Sequence, residues 1–137
     1  MTERGDLRDW FETYLAAFNR GDSEEFGAYY ADQVVFQGQA AQVVGRDAVI
    51  RFYDEVRQYL EERVELLSFV GAGDGQHIFA ELRTNLRAVK DWPDMPTGAM
   101  AAGDERWSVN FALYDIEDQR FTRVRTARVA SSKRASS

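Results

Sequence analysis

Two periodicities divide this chain, and they meet near Glu62. Before it, Leu7, Trp10, Phe11, Tyr14, Leu15 and Phe18 recur at helical spacing, which predicts a helix with one apolar stripe. Asp6 suits its N-cap, and Asn19-Arg20-Gly21 ends it with a glycine just past the last turn. Ser23-Glu24-Glu25 opens a short second helix carrying Phe26, Tyr29 and Tyr30. Val34-Val35-Phe36 reads as a short strand, followed by a polar connection from Gln37 to Val44 that ends at Gly45. A third helix runs from Arg46 to about Glu62 on Val49, Phe52, Tyr53, Val56, Tyr59 and Leu60.

Beyond that point the spacing becomes that of strands. Arg63 to Val70 is one strand, Gly71 to Gly75 a hairpin turn, and Gln76 to Val89 a long second strand in which Ile78, Ala80, Leu82 and Leu86 alternate with polar residues. Lys90 to Gly98 holds both prolines and reads as a loop. A long strand from about Ala99 or Arg106 to Tyr114, a turn at Glu117-Asp118-Gln119 and a last strand from Arg120 to Ala130 complete the order. Ser131 to Ser137 is expected to be a disordered polar tail. Helices first and strands after predict an α+β fold, its helices packed by their stripes on one face of an antiparallel sheet. The 137 residues fit one domain, spanning residues 1–130, with no repeat or linker.

Composition removes several chemistries. Without cysteine there is no disulfide framework and no thiolate nucleophile, and one histidine excludes a multi-histidine metal site within one chain. Seventeen basic against 23 acidic residues give a net charge of −6, which argues against nucleic acid or an anionic membrane as partner. The polar start, Met1 to Asp6, has no apolar leader, and no apolar run approaches the ~20 residues of a membrane span, so a cytoplasmic protein is expected.

Three segments carry a resemblance: Tyr14-Leu-Ala-Ala-Phe-Asn-Arg-Gly-Asp22, then Tyr30-Ala-Asp32, then Gly45-Arg-Asp-Ala-Val-Ile-Arg-Phe-Tyr53. Together with Pro96-Thr97-Gly98 before a long strand, they resemble the NTF2-like superfamily, and within it the SnoaL-like and ketosteroid-isomerase-like branch, over about residues 7–130. The resemblance implies a cystatin-like cone: a curved sheet wrapped around the helices, a deep apolar pocket, no metal or organic cofactor, and a homodimer. Carried over residue by residue from ketosteroid isomerases, the oxyanion-hole tyrosine matches Tyr14, and the tyrosines that hydrogen-bond to it in some members match Tyr30 and Tyr53. The second oxyanion donor, there a protonated aspartic acid, matches Asn110, whose amide donates without any raised pKa. The general base falls on Gly38, which cannot accept a proton, so steroid double-bond isomerisation is not expected. The Arg-x-Asp pair of limonene-epoxide hydrolases has only Arg83-Thr84-Asn85 as an echo, and the last-strand aspartate of those enzymes and of SnoaL-type cyclases falls at Thr126.

Several residues carry two readings each. Tyr14, Tyr30 and Tyr53 are either core aromatics with satisfied hydroxyls or a donor network for a developing oxyanion. His77 is a surface residue at a strand end, or, if it faces the cavity, the missing base. Glu81 and Arg83 form a solvated or dimer-facing ion pair, or an inward carboxylate with a raised pKa. Trp92-Pro93-Asp94-Met95-Pro96 either connects strands or covers the pocket mouth with Asp94 as an acid or base. Gly71 to Gly75 lies between strands and opens no helix, which favours a hairpin turn over a phosphate loop. The C-terminal arginines are read as salt-bridging, with Arg128 the one able to meet an anionic substrate group. Phe11, Phe18, Phe36, Trp92, Trp107, Thr126 and Arg128 are the candidate pocket wall. The expectation is an isomerase-, cyclase-, hydratase- or lyase-like enzyme acting on an apolar or aromatic small molecule. The alternative is a non-catalytic binding or dimerisation module.

Overall fold

The computed structural model describes residues 4–38 and 42–134. Helix α1 (Arg4–Arg20) is followed at once by a one-turn helix α2 (Ser23–Gly27), whose N-cap Asp22 accepts a hydrogen bond from the Glu25 N–H. Strand β1 (Tyr30–Gln37) begins three residues later, so Tyr30 belongs to the sheet and not to the second helix predicted for it. A short strand β2 (Gln42–Val44) lies inside the polar connection and pairs back onto β1. Helix α3 (Arg46–Tyr59) then runs directly into β3 (Leu60–Gly71), and β4 (His77–Ala88), β5 (Glu105–Glu117) and β6 (Arg120–Arg134) complete a meander.

The sheet order is β2-β1-β6-β5-β4-β3. Every pairing is antiparallel except β1 with β6, which is parallel, so the sheet is antiparallel as expected but for that one seam. Strand β6 continues through Ser131 to Arg134, because Ser131 and Ser132 pair with Ser108 and Trp107; the expected tail therefore starts as strand, and residues 135–137 lie outside the described residues. Register shifts at Leu66/Ser68 in β3 and at Val109/Asn110 and Asp115/Ile116 between β5 and β6 bend the strands. The resulting open, curved sheet wraps around α1, and with the helices it forms the NTF2-like cone. The predicted hairpin turn after β3 is present, closed by the Ala72 N–H donating to the His77 carbonyl and by Gly75 at φ 73°. No helix among the described residues is long and apolar enough to cross a membrane.

The closed end of the cone is aromatic. Phe11, Phe26, Tyr30 and Phe121 are fully buried, and burying such a side chain contributes roughly 1.5–3 kcal/mol. One α1 side chain hydrogen-bonds the backbone of the edge strand β3: Asn19 Nδ2 donates to the Val64 carbonyl (2.9 Å), and the Val64 N–H donates to Asn19 Oδ1 (2.8 Å). Asn19 thus imitates a neighbouring strand. Asn19→Ala leaves both backbone groups without partners and is expected to lower stability by about 1–3 kcal/mol, read as a lower urea midpoint with unchanged m-value. A loss below about 0.5 kcal/mol would show that water replaces the amide fully.

Candidate active site

The apolar stripe of α1 brings Tyr14, Leu15 and Phe18 to the inner side of the sheet, and α3 adds Phe52, Tyr53 and Val56. On the strands, alternation points Leu60, Glu62 and Val64 of β3, Leu82, Thr84 and Leu86 of β4, and Ser108, Asn110 and Tyr114 of β5 the same way. Val124, Thr126 and Arg128 of β6 complete the wall of a cavity of about 180 Å³. Trp92, Met95, Pro96 and Thr97 also line it, so the proline-bearing segment forms part of the cavity wall. That segment is a compact hairpin. Trp92 and Met100 exchange backbone hydrogen bonds (2.7 and 3.1 Å), Trp92 stacks on Tyr59 at 4.4 Å, and Arg106 donates to Thr97 Oγ1 (3.1 Å) and to the Gly98 carbonyl (3.3 Å).

Tyr14 and Tyr30 share a buried hydroxyl–hydroxyl hydrogen bond of 2.6 Å, in which either oxygen can donate. Tyr14 faces the cavity and Tyr30 stands behind it. Tyr53 lines the cavity but is not bonded to either; its ring meets Phe18 edge-on at 4.9 Å. Burial raises all three phenols well above 10, and Tyr114 likewise, so they stay protonated at any ordinary pH. Asn110 lines the cavity and donates one amide hydrogen to Ser108 Oγ (3.1 Å), leaving the other free.

The group that the sequence reading missed is Glu62. It sits on the cavity wall between Leu60 and Val64, and its Oε1 is sealed from solvent with no hydrogen-bond partner among the described residues. Burial pushes its carboxyl up to about 7, against the pull of the Arg57 guanidinium. The Glu62 charge is also felt at Tyr14, Tyr30 and Tyr53, after burial and, for Tyr14 and Tyr30, after the tyrosines' own interactions. Arg57 itself donates to the Phe18 carbonyl and lies 5.0 Å over the Phe18 ring. The available signal was the alternation Leu60, Glu62, Val64, Leu66, hidden because a helical reading also fits Val56, Tyr59 and Leu60.

Other expected residues lie elsewhere. His77 is 60% exposed on the outer face, with Nδ1 3.1 Å from Asp115 Oδ1, so it cannot reach the cavity. Phe11 is in the core beyond the cavity floor, 5.0 Å from the Tyr114 ring, and does not line the cavity. Trp107 points outward because its neighbours Ser108 and Asn110 point inward, and Arg83 lies 5.0 Å over its ring. Glu81 accepts from Ser68 Oγ (2.8 Å), so it does not pair with Arg83, and neither lines the cavity. Asp94 is exposed and turned away from it. Phe18, Phe36, Trp92, Thr126 and Arg128 all line the wall. Gly38 does too, and a Cβ there would stand 3.0 Å from Thr126 Oγ1, so no side chain fits without displacement. Of the Arg83-Thr84-Asn85 echo, only Thr84 faces in.

The SnoaL-like domain model matches residues 11–124, the segment that builds the cone and its cavity. The chain belongs to the SnoaL-like family of the NTF2-like superfamily. No functionally curated protein matches this SnoaL-like chain. Among solved structures it is similar to a candidate polyketide cyclase from Xanthomonas campestris, at 23% identity and TM-score 0.78 over 90% of both chains. It is also similar to SalBIII, an epoxide hydrolase/cyclase-like enzyme with a role in pyran ring formation in the polyether salinomycin, at 12% identity and TM-score 0.74 over 94% of this chain and 95% of that one. An LEH-like epoxide hydrolase from M. tuberculosis matches at 15% identity and TM-score 0.70, over 91% of this chain and 84% of the other. At these identities the likeness is one of fold.

Proposed function

We propose that this SnoaL-like protein is an enzyme that moves a proton on carbon in a small apolar or aromatic carbonyl compound, with Glu62 as the base and Tyr14 as the principal oxyanion donor. The observation that carries this reading is the meeting, in one largely apolar cavity, of an inward carboxylate whose Oε1 has no hydrogen-bond partner among the described residues and a hydrogen-bonded pair of neutral phenols. Glu62 takes a proton from the carbon next to the substrate carbonyl, and the electron pair moves onto the carbonyl oxygen. Tyr30 donates to Tyr14, and Tyr14 turns its own hydrogen to the enolate oxygen, so the developing charge meets a donor that is already polarised. The free Asn110 amide hydrogen supplies a second donor. The enolate, where conjugated with a further double bond, takes the proton back from Glu62 at another carbon; otherwise it attacks a second carbonyl, whose new alkoxide takes the Glu62 proton, or expels a β-hydroxyl that leaves as water with that proton. These outcomes are isomerisation, cyclisation and dehydration. A carboxyl poised near neutrality suits such a step, because base strength and the ionised fraction are then balanced.

The reading is supported by the names of the three structural neighbours above, a candidate polyketide cyclase, an epoxide hydrolase/cyclase-like enzyme and an epoxide hydrolase. On this reading the base stands on the edge strand β3, separated by three strands from β1, the strand that ends before Gly38. The test is proton exchange in deuterium oxide at pD 8, followed by NMR on 1-indanone, 1-tetralone and acetophenone. At least one is expected to exchange its α-hydrogens about 100-fold or more faster with the protein than in buffer, and Glu62→Gln is expected to remove the acceleration. Saturable binding without exchange would make the chain a binding module instead.

A further inference from the structure

Every ion pair among the described residues leaves Arg128 out. Several other arginines, Arg51, Arg63 and Arg120 among them, are likewise outside these pairs, but they do not line the cavity. Arg128 is exposed, yet it lines the cavity, directly across the β5–β6 ladder from Asn110. A second guanidinium, Arg106, stands close enough for the two charges to repel, although Asp104 offsets part of that field. Arg106 is occupied in holding the Thr97–Gly98 turn, so it cannot swing toward a ligand. Arg128 has no such duty. The cavity wall is thus mostly apolar with a few polar groups, and Arg128 stands at its exposed edge in no ion pair among the described residues.

Dimensions restrict what can span it. Tyr114, which packs at a 6.5 Å centroid distance from the Tyr14 ring, lies four residues along β5 from Asn110. Four strand residues cover roughly 13 Å, and the reach of two long side chains shortens that gap. The cavity of about 180 Å³ is a little larger than the roughly 150 Å³ that suffices for benzene. The cavity, lined by both Tyr14 and Arg128, therefore has room for one ring, with a second reaching toward its open side. Glu62 comes from β3, and β4 and β5 separate that strand from β6, so an anion at Arg128 stands away from the carboxylate it would otherwise repel.

We infer that the substrate is an amphipathic acid: a one- or two-ring apolar body seated in the cone, with its carboxylate held at the rim by Arg128. This deepens the proton-transfer reading above and rests on it for the word substrate, but its test does not use turnover. Isothermal titration at pH 8 and low salt compares 2-naphthoate with 2-acetonaphthone, its neutral isostere. Wild type is expected to bind the naphthoate about tenfold or more tightly than the ketone, with the preference shrinking as salt rises. Arg128→Gln is expected to lose that preference while binding the ketone within about twofold of wild type, and Arg128→Lys to recover part of it. Glu62→Gln is expected to leave the preference in place, which locates the carboxylate at the rim and not beside Glu62. Equal affinity for the two probes, a preference that survives Arg128→Gln, or no binding of either probe overturns the proposal. Because proton exchange is read on neutral ketones, failure here leaves the role of Glu62 standing, and failure there leaves this subsite standing.

Discussion

Glu62→Gln is expected to cut proton-exchange activity by about 10²–10⁴-fold and, at pH 8, to make the protein more stable than wild type. The two effects share one cause. Glutamine keeps the shape of the side chain but carries no charge and accepts no proton from carbon. In the wild type, burial holds the carboxyl at about 7 against an ordinary value of 4.5. An acid whose folded pKa is raised binds its proton more tightly in the folded state, so stability falls as pH rises from about 4.5 to about 7 and is level beyond. The interval corresponds to roughly 3 kcal/mol, with the group screened only on its cavity side. Melting curves are therefore expected to coincide for wild type and variant near pH 4.5. They should separate progressively up to pH 7, reaching about 10 °C in favour of the variant by pH 8. The wild-type kcat/KM should rise over the same interval to a plateau above about 7. A melting gap that does not change with pH would mean that Glu62 titrates as an ordinary surface acid, and the case for it as base would fall with that result.

A destabilising carboxylate in an otherwise well-packed cone is what a functional site looks like from the standpoint of folding. The wall has apolar options at this position, since Leu60 and Val64 on either side are apolar. Keeping an acid there costs stability at neutral pH, a cost that the proposed role as base would explain.

How far the sequence could be read depended on how cleanly each period was interrupted. Helix α1 is bounded by Gly21 at φ 72°, and the β3–β4 turn by Gly75 at φ 73°, so both were legible from punctuation alone. The α3–β3 junction has none. Leu60 passes straight into extended backbone at φ −128°, ψ 143°, and the helical stripe continues in register with the strand's inner face. Glu62 was lost in that overlap: read as the last residue of a helix it is a solvated acid, whereas two residues into a strand it faces inward. Strand parity explains Trp107 in the same way, since a shift of one residue exchanges the cavity for the outer face. Phe11 shares the stripe of Tyr14 and Phe18, but one turn earlier on α1 it packs on Tyr114 in the core and does not reach the cavity wall. The pairing of Tyr14 with Tyr30 joins α1 to β1, a contact that no local pattern encodes; it was reached through the family resemblance.

Tyr14→Phe is expected to lower exchange activity by about 10²–10³-fold while leaving the pH midpoint near 7, because it removes the oxyanion donor and not the base. Its effect on stability separates function from packing. The single substitution strands the Tyr30 hydroxyl, fully buried and deprived of its 2.6 Å partner, at an expected loss of roughly 1–2 kcal/mol. Tyr30→Phe strands nothing on the cavity side, since Tyr14 can still aim its hydrogen at a substrate oxygen. It removes only the polarising hydrogen bond from behind, and a loss of about three- to tenfold is expected. In the double variant both hydroxyls are gone and neither is orphaned, so stability is expected to return close to wild type while activity stays at the level of Tyr14→Phe. That divergence is the decisive outcome. If activity recovered together with stability in the double variant, the tyrosine pair would be core packing with satisfied hydroxyls, and the oxyanion would have to be held elsewhere, with Asn110 the remaining donor on the cavity wall.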